Sequence, residues 1–327
     1  MAATQTPALS AVDVLDPQVR RFVDEIGRGF ARHPGFDRLP PPEARSVAER
    51  VREPWRRGGP IMRRTEELFV PVADAALRVR LYDPGPPGPK PGFVYLHGGG
   101  WTLFSIDTHD RVMREYAARA GMTVLGVDYP LSPEAKFPVA LEQIVALVRW
   151  LGEHAAALGV DARRVAIGGD SAGANLAVAA CLVLRDAGEG RRVRAMLLSY
   201  GAFDAECSGE AARRYGGDGF PLSRDEMTAF WENYVRAPED VRNPLVCPLR
   251  ARLDGLPPAF LTIPECDLLT EQSLAMAERL RKAAVPVRQE LYVGASHSFL
   301  EAVSIADVAD RALSDGARWM QQTLADP

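Results

Sequence analysis

A single serine, Ser171, stands where almost every neighbouring side chain is small. Residues 169–173 read G-D-S-A-G, which fits the pattern G-x-S-x-G. An apolar run precedes this pattern, and a helix-favouring run, ANLAVAA, follows it. A nucleophile elbow requires this strand–turn–helix context, since the small residues let the backbone turn sharply and lift the hydroxyl away from the sheet edge. The alternative is that Ser171 only caps the following helix; the context favours a nucleophile.

A serine hydroxyl is a weak nucleophile and needs a general base. In proteins with a nucleophile elbow, the chain order is serine, then acid, then histidine. His297 is the only one of the five histidines that follows Ser171, and it comes just after the alternating stretch VRQELYV. The sequence therefore predicts His297 as the base.

An acid that orients His297 should lie between the serine and the histidine, at the end of a strand. Asp267 directly follows the predicted buried strand AFLTIP, whereas Asp204 and Glu265 are the second and third candidates. One helix and one strand separate Asp267 from His297, and a parallel crossover of that size brings the two loops to the same sheet edge. Such an acid fixes the histidine tautomer and stabilises the imidazolium.

A second glycine cluster, L-H-G-G-G-W at 96–101, ends another predicted strand. Glycines allow backbone N–H groups to approach an oxyanion with no side chain in the way. With the amide of Ala172, directly after the nucleophile, the cluster is typical of an HGGG-type oxyanion hole. A flexible glycine turn is the alternative. Trp101 follows the cluster and is predicted to line the substrate pocket.

Composition restricts the class of protein. The 327-residue chain is 47% hydrophobic and 25% charged, as is ordinary for a soluble globular protein. Its formal net charge is −4 and it has no basic block, which argues against a nucleic-acid partner. The longest apolar run, LAVAACLVL, is too short to enter a bilayer as a spanning helix. We expect no membrane insertion and a small-molecule partner.

Cysteines and histidines point to a protein without metal. The four cysteines form no CxxC pair, which favours reduced thiols, and the histidines form no HxxxH-type pair. The N-terminal stretch lacks the pattern of a secretory signal. We therefore expect a cytoplasmic protein that needs no cofactor. The sequence leaves the oligomeric state open, and a homodimer is one candidate.

Strands and helices alternate along most of the chain. From residue 93 onward, short apolar strands are followed by helices, which predicts an α/β protein with a mostly parallel sheet covered on both faces. In such sheets, sites lie at the carboxyl ends of the strands. Residues 1–55 read as helices broken by proline, and the stretch from 203 is less regular. We predict a single domain over 1–327.

Five blocks of the chain resemble those of the hormone-sensitive-lipase-like group of α/β-hydrolases, in the same order. They read HGGGW, DYPLSPEAKFPVALEQ, GDSAGANLA, PECDLL and GASHSF. The resemblance runs from about residue 65 to the end and is nearest to bacterial acetyl-esterase-like members. It implies an α/β-hydrolase fold, with a mostly parallel central sheet flanked by helices and a helical cap. The cap would come from about 1–55 and 203–240, and the catalytic core from about 65–202 and 241–327.

The resemblance also implies roles for individual residues. Ser171 would be the nucleophile, His297 the base and Asp267 the orienting acid. The amides of Gly99, Gly100 and Ala172 would be the oxyanion donors, and Gly98 would contribute shape or a further donor.

Two positions depart from the family pattern. Ala174 replaces a glycine inside the helix after the elbow, and Leu268 replaces a proline after the acid. Neither removes a catalytic group.

Other polar and aromatic residues have structural interpretations. Asp128 and Glu134, in the block at 128–138, are predicted to hold the loop that carries the glycine cluster. The stretch MTAFWENYV places Phe230, Trp231 and Tyr234 on one helix. Their spacing favours core packing over a pocket wall.

These features predict a cofactor-free serine carboxylester hydrolase that acts on short-chain, acetyl-like esters through an acyl-enzyme. Other reactions on the same site are alternatives: deacetylation or amide hydrolysis of a specialised natural product, or a lyase-like elimination. A non-catalytic small-molecule-binding protein is a further alternative. Such a protein would typically lack one member of the triad, and this chain keeps all three.

Overall fold

Eight strands form one sheet in the order β1-β2-β4-β3-β5-β6-β7-β8. The computed structural model describes residues 14–72, 75–207 and 209–325. The strands are β1 (Arg64–Val72), β2 (Ala75–Asp83), β3 (Lys90–Leu96), β4 (Thr123–Asp128), β5 (Val160–Asp170), β6 (Ala195–Ser199), β7 (Ala259–Cys266) and β8 (Val287–Ser296). Strand β2 runs antiparallel to both of its neighbours, β1 and β4, and the other neighbouring strands pair in parallel. The predicted mostly parallel sheet is confirmed.

Helices cover both faces of this sheet. They are α1 (Pro17–Ala31), α2 (Pro41–Arg52), α3 (Asp110–Ala120), α4 (Val139–Leu158), α5 (Ala172–Asp186), α6 (Gly209–Tyr215), α7 (Arg224–Tyr234), α8 (Thr270–Lys282) and α9 (Asp307–Thr323). One buried apolar cluster includes α4, α5 and α8, and a second includes α1, α3 and α9. Within the described ranges, no helix has the length and hydropathy to cross a membrane.

The burial of each strand explains its sequence pattern. Strands β3, β6 and β7 are buried along nearly their whole length, so their residues form continuous apolar runs. The edge strand β1 alternates between more and less exposed positions instead. Helix α1 begins at a capping residue: Asp16 is the N-cap, and its carboxylate accepts from the amides of Gln18 and Val19 at 2.8 and 3.2 Å.

The chemistry-bearing residues lie just beyond the carboxyl ends of parallel strands. Ser171 lies between β5 and α5, Asp267 directly follows β7, and His297 directly follows β8. The glycine cluster follows Leu96, the last residue of β3. Because these strands run in the same direction, their ends meet at one edge of the sheet, where ligand sites of such sheets form.

The two predicted cap segments, about 1–55 and 203–240, contain helices and loops but no strand in their described parts. The first carries α1 and α2, and the second carries α6 and α7. Their apolar residues join the two clusters of the core.

The glycines on either side of Ser171 permit a close backbone approach. A Cβ at Gly173 would lie 1.9 Å from the carbonyl oxygen of Leu96, and a Cβ at Gly169 would meet the same oxygen at 1.9 Å. Backbone atoms cannot move aside as a flexible side chain can. The end of β3 therefore requires glycine at both positions of the elbow.

Two alanine substitutions should have opposite effects on stability. Gly173→Ala should lower the free energy of unfolding by about 1–3 kcal/mol or more, because the new methyl group overpacks against backbone. Gly27 lies on the exposed face of α1, and a Cβ there would meet no atom of the described residues within 4 Å. Gly27→Ala should raise the same quantity by about 0.5–1 kcal/mol. Urea unfolding followed by circular dichroism measures both, and equal shifts would contradict this account.

Candidate active site

Ser171, His297 and Asp267 form a hydrogen-bonded chain. The Oγ of Ser171 lies 3.0 Å from Nε2 of His297, and Nδ1 of His297 lies 2.8 Å from Oδ2 of Asp267. The other oxygen of Asp267 accepts from the amide of Leu269 at 3.0 Å. The carboxylate of Asp267 accepts a hydrogen bond from Nδ1–H of His297, and in this tautomer Nε2 has no proton and can accept that of Ser171. The arrangement can therefore support nucleophilic attack by serine with histidine as the base.

The backbone of Ser171 has the conformation of a sharp elbow. Its φ is +52° and its ψ is −117°, a region that non-glycine residues rarely adopt. Its amide donates to Ser199 at 2.9 Å, and its carbonyl oxygen accepts from Ala202 at 3.3 Å. These bonds to the end of β6 hold the strained residue in place.

The structure places Asp267, rather than either alternative acid, against His297. The carboxylate of Asp204 accepts from Arg250 at 3.1 and 3.2 Å. The carboxylate of Glu265 accepts from the amide of Gly294 at 2.9 Å. Both side chains are thus engaged elsewhere.

Gly99 and Gly100 line the same cavity as Ser171. Their φ values are +111° and +58°. Across the ranges that the structure describes, neither amide donates to another protein group. Ala172 is the first residue of α5, where amides lack intrahelical partners. Three backbone donors are thus available beside the serine hydroxyl.

Gly98 does not supply a fourth donor. Its amide donates to Oδ1 of Asp170 at 3.0 Å. A Cβ at Gly98 would lie 2.4 Å from the other oxygen of that carboxylate. The expectation of a donor at Gly98 is therefore wrong, because the buried Asp170 needs this amide; Gly98 contributes shape.

The carboxylate of Asp170 joins the serine elbow to the glycine cluster. Besides Gly98, it accepts from the hydroxyl of Tyr95 at 2.7 Å, and it lies 3.3 Å from Nε2 of His109. Burial disfavours its charged form, but the cationic ring of His109 and these hydrogen bonds outweigh burial and hold the pKa of Asp170 below its usual value. Burial acts against the charge of His109 as well, yet the carboxylate raises the pKa of His109.

His109 has a neighbour at each ring nitrogen. Its Nδ1 lies 2.9 Å from the hydroxyl of Thr108, and its Nε2 lies 3.3 Å from Oδ2 of Asp170. The raised pKa of His109 favours the protonated ring, in which both nitrogens carry a proton. A buried histidine–aspartate pair thus lies next to Ser171.

Comparison with known proteins identifies the family. A family model described as the alpha/beta hydrolase fold matches residues 93–301. This chain belongs to the hormone-sensitive-lipase-like α/β-hydrolases. Curated relatives of this α/β-hydrolase include an acetyl esterase of Salmonella paratyphi A, which is 36% identical over 279 residues, with 84% of each chain covered.

Solved structures agree with this family. An esterase of the archaeon Pyrobaculum calidifontis superposes with a TM-score of 0.89 at 31% identity, covering 94% of this chain and 98% of that one. A thermostable esterase from Pseudomonas putida gives a TM-score of 0.88 at 27% identity, covering 99% and 100%. The predicted fold and the predicted class, a carboxylesterase-like serine hydrolase, are confirmed.

Trp101 of this α/β-hydrolase does not line the cavity, contrary to the sequence-based expectation. Its indole ring is 1% exposed, stacks on Tyr234 at a centroid distance of 4.2 Å and contacts Trp231 at 4.5 Å. A large aromatic side chain gains more from enclosure between rings of α7 than from facing a cavity. Trp231 and Tyr234 are core residues, as predicted, whereas Phe230 lines the cavity beside Gly100.

Asp128 and Glu134 have the structural roles that the sequence predicted. Glu134 pairs with Arg45 of α2, whose Nε donates to the carbonyl of Thr102 at 2.8 Å. Asp128 pairs with Arg78 of β2 at 3.1 Å, and its other oxygen accepts from the amide of Ile106, in the loop that carries the glycine cluster, at 3.5 Å. Neither carboxylate reaches the serine–histidine–aspartate chain.

The cavity around Ser171 is small, and residues from both predicted cap segments form part of its wall. Its volume is about 60 Å³. Residues from the cap segments that form its wall include Phe30, Phe36, Arg52, Leu222, Met227 and Phe230. The site is therefore built by the sheet edge below and by two distant parts of the chain above.

Sequence reasoning missed three of the residues in or beside this cavity: Asp170, His109 and Arg52. Asp170 occupies the variable second position of the G-x-S-x-G pattern, so its adjacency to Ser171 was a visible signal. His109 and Arg52 had no such signal, since their partners are far away in sequence.

Asp170→Asn should lower kcat for a neutral ester by about tenfold or more with little change in KM, because weaker anchoring of the glycine cluster misplaces the oxyanion donors. Steady-state kinetics on 4-nitrophenyl acetate measures this. Asp254→Asn, which changes an exposed aspartate paired with Arg252, is the matched control and should leave kcat unchanged. A wild-type kcat for the Asp170 variant would contradict the positioning role.

Proposed function

We propose that this protein hydrolyses carboxylic esters with a short, acetyl-like acyl group, through a Ser-His-Asp triad and an acyl-enzyme. The hydrogen-bonded chain from Ser171 through His297 to Asp267, at the base of a small cavity, carries this proposal.

In the proposed mechanism, Oγ of Ser171 attacks the ester carbonyl while Nε2 of His297 takes its proton. Asp267 holds the ring in the required tautomer and stabilises the imidazolium. His297 then protonates the leaving alcohol, and a water molecule repeats the sequence on the acyl-enzyme. The product acid leaves, and Ser171 regains its proton.

The negative oxygen of each tetrahedral intermediate lies between the amides of Gly99, Gly100 and Ala172. Support comes from their position beside Ser171 and from the lack of other acceptors for the two glycine amides within the described ranges. The N-terminus of α5, which begins at Ala172, also favours negative charge there.

Cavity size supports a short acyl group. Pockets that enclose drug-sized ligands measure about 300–1,000 Å³, whereas this cavity measures about 60 Å³. Met227 and Phe230 of α7 lie on its wall, so the second cap segment restricts the space. The acetyl esterases among the relatives are consistent with this proposal.

We propose further that the two cap segments act together as a cap over the cavity. Both contribute wall residues, and a buried ion pair links the first segment to the core: Nη1 of Arg52 lies 3.3 Å from Glu301, in the turn that follows His297.

Four variants test the triad together. Ser171→Ala should lower kcat by about 10⁴–10⁶. Asp267→Asn should lower it by about 10²–10⁴, because the serine–histidine pair survives with a poorly held ring. Asp204→Asn and Glu265→Gln are the matched controls and should stay near the wild-type value. Turnover of 4-nitrophenyl acetate and labelling by a fluorophosphonate probe measure these effects. More than a tenth of wild-type activity in Ser171→Ala would refute the assignment.

Chain length tests the acyl preference. With 4-nitrophenyl esters, kcat/KM should be highest between acetyl and hexanoyl and should fall for longer chains, since the cavity cannot enclose them. Met227→Ala enlarges the cavity from the cap side and should shift the maximum to a longer chain. A wild-type maximum at dodecanoyl would show that the small cavity does not limit the substrate.

A further inference from the structure

The guanidinium of Arg52 is buried in the wall of the cavity. Arg52 is the last residue of α2, in the first cap segment, and its side chain is 5% exposed. It lines the same cavity as Ser171 and His297. Its Nε and Nη1 are enclosed, and neither has a hydrogen-bond partner among the residues that the structure describes.

The charge of Arg52 is compensated, but its donors are unused. Glu301, 3% exposed, lies 3.3 Å from Nη1, yet within the described ranges both of its carboxylate oxygens also lack a hydrogen-bond partner. The rings of Phe104 and Phe22 lie 4.9 and 5.7 Å from the guanidinium carbon. Buried polar groups in folded proteins almost always have partners. A guanidinium carries five N–H donors, so we expect Arg52 to donate hydrogen bonds when a substrate is bound.

The catalytic side chains and the other ionisable side chains of the cavity are engaged. Ser171 and His297 bond to each other, and the two nitrogens of His109 contact Thr108 and Asp170. The carboxylate of Glu226 accepts from the amide and hydroxyl of Ser223 at the start of α7. Among the described wall residues, Arg52 is the cation whose donors have no acceptor.

A carboxylate is the group that a guanidinium binds best, through two parallel hydrogen bonds. Much of the rest of the wall is apolar or aromatic, with Phe30, Phe36, Phe104 and Phe230 among its members. If the acyl group is as small as proposed above, every larger part of the substrate belongs to the alcohol. An acceptor for Arg52 must then be on the alcohol side of the ester.

We propose that Arg52 binds a carboxylate on the alcohol part of the substrate, so that short-chain esters of apolar or aromatic hydroxycarboxylic acids are preferred. This inference rests on the proposed short-chain esterase function. Glu301 holds the guanidinium in place in the free enzyme, and the substrate carboxylate occupies the donors that Glu301 leaves unused.

The test compares 4-acetoxybenzoate with its neutral counterpart 4-acetoxybenzamide. We use the ratio of their kcat/KM values, and compare that ratio between wild type and variants to cancel the different leaving groups. Arg52→Gln and Glu301→Gln both break the ion pair, but only the first removes the charged guanidinium with its fork of donors. The ratio should fall by about tenfold or more in Arg52→Gln, as expected for the loss of hydrogen bonds to a charged group. In Glu301→Gln it should stay or rise, since a competing anion is gone.

Equal changes of the ratio in both variants would overturn the proposal, because Arg52 would then serve only to attach α2 to the core. A ratio unchanged in Arg52→Gln would overturn it as well.

Inhibition of the wild type provides a readout that depends on no variant. Against 4-nitrophenyl acetate, 4-hydroxybenzoate should be a competitive inhibitor about tenfold stronger than 4-hydroxybenzamide; equal inhibition would refute the proposal. Turnover of 4-nitrophenyl acetate, and its loss in Ser171→Ala, report on the esterase function separately. If the wild type turns over 4-nitrophenyl acetate but shows no preference for the anionic compounds, only the proposed role of Arg52 is refuted, and the esterase function stands.

Discussion

The buried carboxylate of Asp170 is the constraint on which the geometry of the site depends. Asp170 precedes Ser171 in the chain and is therefore part of the serine elbow, and its carboxylate accepts a hydrogen bond from the amide of Gly98 in the glycine cluster. A charge without access to water must be surrounded by donors, so Tyr95 and the cationic His109 are fixed in place as well. One residue beside the nucleophile thereby determines where the backbone amides of another strand end can lie.

The sequence was sufficient for the parts of the site that depend on local pattern and chain order. The elbow at Ser171 follows from small residues between a strand and a helix, and His297 follows from being the only histidine after it. Asp267 required an argument about crossover length, which left Asp204 and Glu265 open until the hydrogen bonds of each were known. These inferences work because the strands run parallel and end at the same edge.

The remaining features depend on contacts between distant segments, which no local pattern encodes. Trp101 follows the glycine cluster in the chain, but α7, more than a hundred residues later, decides that its ring is enclosed. The use of the Gly98 amide depends on an aspartate in a different strand. Arg52 and Glu301 meet only because the first cap segment packs beside the turn after His297. The sequence shows which residue types are present and in what order, but tertiary packing determines which partners they contact.

The enclosure of Trp101 has a consequence for the glycine cluster beside it. Gly99, Gly100 and Trp101 all have positive φ values, a conformation that a free loop would visit only as one state among many. Packing of the indole against Tyr234 selects that state when the chain folds. Ordering the backbone donors costs conformational entropy, and this cost is part of the free energy of folding and not of the free energy of substrate binding. An ester entering the cavity meets donors that are already oriented, and its binding free energy is not reduced by having to order them.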